Sequence, residues 1–235
     1  MASFAEALLF LNAKWRFTAG LRYEWISTQG EGQFRVLQRA PDNSILVDSL
    51  AGQDFNNERG FVISGVGISY RIKPSLEVFF NLSQNYRSIT FNDAVVLNPS
   101  FRVDPKLSDE RGYNLDLGIK GLITKGVAID VTAFYLRYAN RIGLLLATDP
   151  ETFAVYRLRT NIGQSNTYGI ESLIEVNPMQ WLTESSKWQF STFANTSILS
   201  GTYNSDDAAI DGNKIELVPD FTFKAGIKFG YKDFV

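Results

Sequence analysis

Cysteine and histidine are both absent from the 235 residues. Without cysteine there is no disulfide framework and no thiol chemistry, and cysteine usage says nothing about redox compartment. Without histidine, Ser-His-Asp and Cys-His catalysis and every His-containing metal site are excluded. No long apolar run occurs: Ile142 to Ala147 is only a short burst, well under the roughly 18 residues a spanning helix needs. That excludes a transmembrane helix but not a membrane barrel, whose strands are only half apolar. A net charge of −2 argues against a nucleic-acid binder. Gly65-Val66-Gly67 lacks the third glycine and following helix of a dinucleotide fingerprint, and there is no Walker loop. The opening MASFAEALLF lacks the basic n-region and apolar core of a signal peptide.

What is present is aromatic and alternating. Hydrophobic residues make up 45%, charged residues 20% and aromatics 14%, with 18 Phe and 10 Tyr. The clearest stretch runs from Asp104 to Tyr138. Tyr113, Leu115, Leu117 and Ile119 alternate with Asn114, Asp116, Gly118 and Lys120; after a Gly-bearing turn, Val127, Ile129, Val131, Ala133 and Tyr135 alternate with Asp130 and Thr132. A period of two means strand, and the pair predicts a hairpin. Both members exceed a soluble strand and match the roughly 9–11 residues of a tilted bilayer-crossing strand.

The same unit recurs. Strands are predicted over Phe4–Leu11, Lys14–Ile26, Glu58–Arg71, Leu76–Ser88, Ala154–Asn177 (one long, bent strand), Lys187–Ser200 and Asp220–Tyr231, about nine with the hairpin. Tight turns fall at Asn12-Ala13, at Lys73-Pro74-Ser75 and at the stretch holding Pro178 and Ser185-Ser186. Long polar loops are predicted from Ser27 to Asn57, Ile89 to Ser108, Gly143 to Phe153 and Gly201 to Asn213. On Lys14–Ile26 the apolar face is Trp15, Phe17, Ala19, Leu21, Tyr23 and Trp25, with aromatics near both ends, as membrane girdles require. The fold class is all-β: an antiparallel transmembrane β-barrel segment with short turns at one end and long loops at the other.

Three segments carry a family resemblance. DPKLSDERGYNLDLG, from Asp104, resembles N-P-x-L-K-P-E-x-S-x-N-x-E-x-G, with Ser108 and Asp109 in place of Lys-Pro. NIGQSNTYGIE, from Asn161, resembles N-V-G-K-x-R-x-x-G-x-E, with Gln164 and Asn166 replacing basic residues. VPDFTFKAG, from Val218, resembles a strand opening V-P-x-H-T, with Phe221 where histidine is usual. These patterns are those of the TonB-dependent receptors of Gram-negative outer membranes, nearest the ferric-citrate and siderophore receptors. The resemblance implies a barrel of about 22 strands around an N-terminal plug. It also implies coupling to the TonB complex through a segment ahead of the plug. Residues 1–235 are then expected to be a partial barrel domain, with roughly four strands after Val235 and roughly nine strands and the plug before Met1. An odd number of strands would not close as an ordinary single-chain bacterial barrel.

The implied activity is import of a ferric siderophore or ferric citrate across the outer membrane, with no enzymatic step and no bound cofactor. Expected partners are outer-membrane lipid and lipopolysaccharide, the plug, the TonB complex and the chelate itself. The candidate ligand residues are Asn85 and Arg87, leaving the fourth strand on the polar parity, and Arg157, Arg159 and Asn161, entering the seventh on the same parity, with Arg137 and Arg141 nearby. Guanidinium groups bind carboxylates bidentately, and Tyr86, Phe91 or Phe153 offers a surface for the organic part of a chelate. The plainer reading pairs these arginines with loop acids or lipopolysaccharide phosphates. The inward charges, among them Arg16, Glu77 and Lys120, read as lumen lining or plug contacts. Glu171 and Glu175 share a strand face about 13 Å apart by strand rise, too far for a glycosidase pair. Two other functions fit the same composition: a passive porin-like or structural barrel, distinguished by the lack of a plug, and a soluble β-rich carbohydrate-binding or hydrolase domain. The last requires Trp15, Phe17 and Trp25 to be buried between sheets.

Overall fold

The structure, a computed structural model, describes residues 1–94, 100–150, 153–182 and 188–231. Its elements are β1 (Ala2–Phe10), β2 (Trp15–Arg39), β3 (Ile45–Lys73), β4 (Leu76–Arg87), α1 (Phe91–Ala94), β5 (Phe101–Val103), β6 (Glu110–Thr124), β7 (Val127–Ala139), β8 (Ile142–Thr148), β9 (Val155–Asn161), β10 (Gln164–Val176), α2 (Met179–Leu182), β11 (Trp188–Asn204) and β12 (Phe221–Tyr231). Nine of the strands form one antiparallel sheet in the order β1-β2-β3-β4-β6-β7-β10-β11-β12. The other three form a small sheet, β5-β9-β8.

Residues opposite each other in a ladder share a face of the sheet. One row across the wall reads Ala7, Ala19, Val66, Leu82, Leu115, Tyr135, Tyr168 and Ser200. The neighbouring row reads Glu6, Gly20, Gly65, Ser83, Asn114, Leu136, Thr167 and Gly201. The wall therefore has an apolar face and a mostly polar one, as the alternation predicts. Trp15, Leu21, Trp25, Ile170, Phe223 and Ile227 all stay exposed on the apolar face. A soluble sandwich would bury them. The buried hydrophobic side chains among the described residues are Phe61, Ile89, Ala94 and Tyr203. The core thus sits at the long-loop end of the strands and not along the wall. On the polar face Glu77 takes Arg16 and Lys120, each at 3.4 Å, so charges of both signs pair along the lining.

The structure corrects three boundaries. Ser27–Asn57 is not a loop: β2 and β3 stay paired from Ser27↔Glu58 to Gln38↔Val47 and close at Ala40–Ser44, where Asn43 has φ 68°. A ribbon with water on both sides needs no apolar face, so polarity alone does not end it; Arg35 and Asp48 bind bidentately across it, both bonds at 2.6 Å. Gly143 begins no loop, because β8 runs through it. Ala154–Asn177 is not one strand: it breaks at Ile162-Gly163, where Gly163 has φ +116°, and its halves join different sheets. The loop after β4 contains α1 and β5, the turn after β10 contains α2, and β11 continues to Asn204. Of the predicted segments, residues 95–99, 151–152, Ser185-Ser186, Lys187 and Val235 lie outside the described residues.

Candidate functional site

Two neighbouring long connections meet at one end of the wall. The first, between β4 and β6, supplies α1 and β5; the second, between β7 and β10, supplies β8 and β9. β5 lies parallel to β9 through Phe101↔Arg157 and Val103↔Arg159, and β8 pairs antiparallel to β9 from Ile142↔Asn161 to Thr148↔Val155. Backbone ladders thus join the two connections into a single cap.

Charged side chains pin the cap to the wall. Glu110, the first residue of β6, has a side chain only 2% exposed. It accepts hydrogen bonds from Arg87 Nη1 at 3.0 Å, Arg141 Nη1 at 2.9 Å and the Ile142 amide at 3.0 Å. One buried carboxylate therefore holds the end of β4 and the start of β8. Asp93 in α1 accepts from Arg87 Nη2 at 2.9 Å, the Thr90 amide at 3.0 Å and the Thr90 hydroxyl at 2.7 Å, and lies 3.7 Å from Arg159. Burial pushes its carboxyl up, but the Thr90 and Arg87 contacts outweigh this and hold it below its ordinary value. Asp104 accepts from the Thr160 hydroxyl at 2.6 Å and the Lys106 amide at 2.8 Å, in that order the causes that hold its carboxyl low. The adjacent Asp109 accepts from Arg59, from the Tyr86 hydroxyl and, at 2.9 Å, from the Ile89 amide.

The structure distributes the five candidate residues unevenly. Arg87 and Arg159 meet on Asp93, and Arg159 also donates to the Asn92 carbonyl. Asn161 clamps backbone, donating to the Ser108 and Asn140 carbonyls at 2.9 and 2.7 Å and accepting from the Ser108 amide at 2.8 Å. Asn85 is half-buried on β4, opposite Gly112 of β6. Arg157 is exposed, its guanidinium 5.3 Å from the centre of the Phe101 ring. Arg157, Arg159 and Asn161 belong to the small sheet and not to a wall strand, since the chain turns at Gly163. Of the flanking aromatics, Tyr86 stacks on Phe61, Phe91 lies against Gly30 of β2, and Phe153 is 79% exposed.

The ladder puts Arg157 on the same face of the small sheet as Leu144, Leu146, Val155 and Phe101. Leu146 is 77% and Val155 64% exposed. Arg159, on that face, reaches the carboxylate that Arg87 also holds, so the face looks over the inner side of the wall. It combines bare apolar surface with an exposed guanidinium, a pairing suited to an anion with an organic body. Sequence reasoning missed Leu144 and Leu146, whose signal was the short apolar run from Ile142, missed Val155, and missed Asp93 and Glu110 as the partners of the arginines.

The family profile described as "TonB dependent receptor-like, beta-barrel" matches residues 2–234. Among solved structures the chain is similar to the copper transporter OprC, at 14% identity and TM-score 0.70, over 99% of this chain and 33% of that one. It is similar to the ferric yersiniabactin uptake receptor FyuA from Yersinia pestis, at 17% identity and TM-score 0.67, over 96% and 30%. It is also similar to the ferric citrate transporter FecA in its unliganded form, at 14% identity and TM-score 0.66, over 96% and 29%. The chain spans about a third of the length of these structures. No curated protein matches it in sequence.

Proposed function

The chain belongs to the TonB-dependent receptor family, matching its β-barrel domain, and from that premise we propose that the protein carrying it imports an anionic ferric chelate, a siderophore or ferric citrate, across the outer membrane of a Gram-negative cell. The family is one of receptors and transporters, not enzymes. Structures similar to this wall bear names that specify copper, ferric yersiniabactin and ferric citrate, so fold alone does not select the cargo.

The observation that carries the reading is the exposed face of the small sheet, with Leu144, Leu146 and Val155 beside Arg157 and Phe101. The chain has no histidine or cysteine, and the described residues hold no cluster of three carboxylates, which favours recognition of a metal through its chelator. The organic body of the chelate packs on the apolar positions and its carboxylates meet Arg157, with Asn85, Arg87, Arg159 and Asn161 bordering the site. In the proposed mechanism the cap captures the chelate, the TonB complex pulls on a plug held inside the barrel, and the chelate passes inward. The polar face, with its Arg16–Glu77–Lys120 set, lines that passage, and the apolar face meets lipid and lipopolysaccharide.

Calorimetric titration of the intact protein in detergent tests this. Ferric citrate or a carboxylate siderophore is expected to bind, and Arg157→Ala to weaken it about tenfold, the value of one charge-assisted contact. Equal affinity in wild type and variant would remove the small sheet from the ligand site.

A further inference from the structure

The outer side of the same rim carries a second cationic feature that the cap does not use. Ladder pairs set Arg111 opposite Ala139, Tyr113 opposite Arg137 and Leu115 opposite Tyr135. Arg111 and Arg137 therefore share the apolar face with Tyr113, Leu115 and Leu117, and point away from the lumen. The Tyr113 and Tyr135 rings stand 5.8 Å apart, and Tyr168 pairs with Tyr135 in the next ladder. Such an aromatic band marks the membrane–water boundary. Arg111 and Arg137 stand just beyond it, at headgroup height.

Beside Arg111 is a recess of about 310 Å³, lined among others by Asn57, Arg59, Ser108, Asp109 and Asn140. It exists because the β3–β4 ladder stops at Gly65↔Ser83 while β4 and β6 stay paired to Arg87↔Glu110, leaving a wedge between β3 and β4. Two guanidiniums line the recess against one carboxylate. That carboxylate, Asp109, is already engaged by Arg59, Tyr86 and the Ile89 amide. Arg59 Nη2 is buried and has no hydrogen-bond partner, and Arg111 meets the Tyr86 ring at 5.9 Å and no acid among the described residues. The recess is short of negative charge, and the side-chain amides of Asn57 and Asn140 line it.

We propose that this recess binds the phosphate of an anionic lipid headgroup, with Arg111 as the direct ligand, Arg137 as a flanking cation and Arg59 supplying fixed positive charge behind it. A phosphate presents several oxygens at the spacing of a guanidinium fork. The source is a lipid and not a free anion, because Arg111, the direct ligand, stands on the lipid-facing parity just beyond the aromatic band, while Arg59 and Asn57, on the lumen-facing parity of β3, close the recess from behind. The inference rests on the wall being membrane-spanning and is independent of which chelate is carried.

The test reconstitutes the intact protein in nanodiscs of phosphatidylcholine with added phosphatidic acid, then measures the lipids retained after transfer to detergent by native mass spectrometry. Wild type is expected to retain phosphatidic acid selectively. Arg111→Ala and the Arg111→Ala/Arg137→Ala pair should lower that retention about tenfold, and Arg111→Lys less. Arg111 is exposed, whereas Arg137 is half-buried and donates to Gln164 Oε1, so unchanged heat-modifiable migration on gels is required to show that the variants remain folded. Equal retention of the two lipids by wild type, or wild-type retention by the alanine variants, overturns the proposal. So does complete displacement of the lipid by inorganic phosphate, which would make the site one for a soluble anion. Chelate binding is measured separately, so failure here leaves the receptor reading standing.

Discussion

Glu110 joins parts of the chain that are distant from it in sequence: the end of β4, the start of β8 and, through Arg87, the helix α1. Removing one partner of a buried charge cluster leaves the others desolvated and unpaired. Because Arg87 and Arg141 are partly exposed, with side chains 40% and 29% accessible, Glu110→Ala is expected to loosen the cap by about 2 kcal/mol and not to unfold the wall. Hydrogen exchange should then quicken in β8 and β9 roughly thirtyfold while β6 and β7 keep their protection. Asp93 and Asp104 give the cap an acid limit. Both carboxyls are held below their ordinary value of 3.8, so the folded state binds fewer protons than the unfolded one there. Their contribution is fully present above that value and is lost as pH falls through the depressed ones. Proteolysis of the cap across pH 5 to 2.5 should show faster cleavage at the acid end, and Asp93→Asn should raise cleavage at pH 5 and flatten that pH dependence. Arg87 at the end of β4 was legible from strand parity, whereas parity put Arg157 and Arg159 on one long strand that breaks at Gly163. The acids of these arginines were not legible, since Asp93 and Glu110 reach them only after two loops have folded against each other.

At the scale of elements, the break at Gly163 decides what the arginines of β9 can do. A straight strand would have put Arg157 and Arg159 on the barrel wall; the turn lifts them into the cap. An added Cβ at Gly163 would lie 2.5 Å from the Asn204 carbonyl oxygen, on a backbone that L-residues rarely adopt. Gly163→Ala is therefore expected to cost about 1–3 kcal/mol at this corner. Hydrogen exchange should report it in β8, β9 and the end of β11, with the β1–β2 ladder unchanged. The long unbroken alternation of β2, β6, β7 and β12 was readable because one face must be apolar. The β2–β3 ribbon beyond Ser27 and the small sheet were not: they are held by ladder bonds and ion pairs such as Arg35–Asp48, and neither needs a two-residue hydrophobic period.

For the molecule as a whole, nine strands, their order and their two faces followed from the sequence, because a lipid-facing wall imposes a simple rule on every second residue. The cap, with Ile89 and Ala94 of the buried core, followed from contacts between distant loops and was not visible in advance. The wall presents exposed apolar residues to one side and paired charges to the other, and the cap stands above the charged side. That asymmetry is what the proposed import calls for: a wall with one apolar side, one polar side and an exposed apolar and cationic surface above the polar side. The most direct test is uptake of radiolabelled ferric chelate by Gram-negative cells carrying or lacking the intact protein, each with and without a working TonB complex. The account predicts accumulation only when both are present, reduced by Arg157→Ala. Equal uptake in cells lacking the protein, or uptake that persists without the TonB complex, would contradict it.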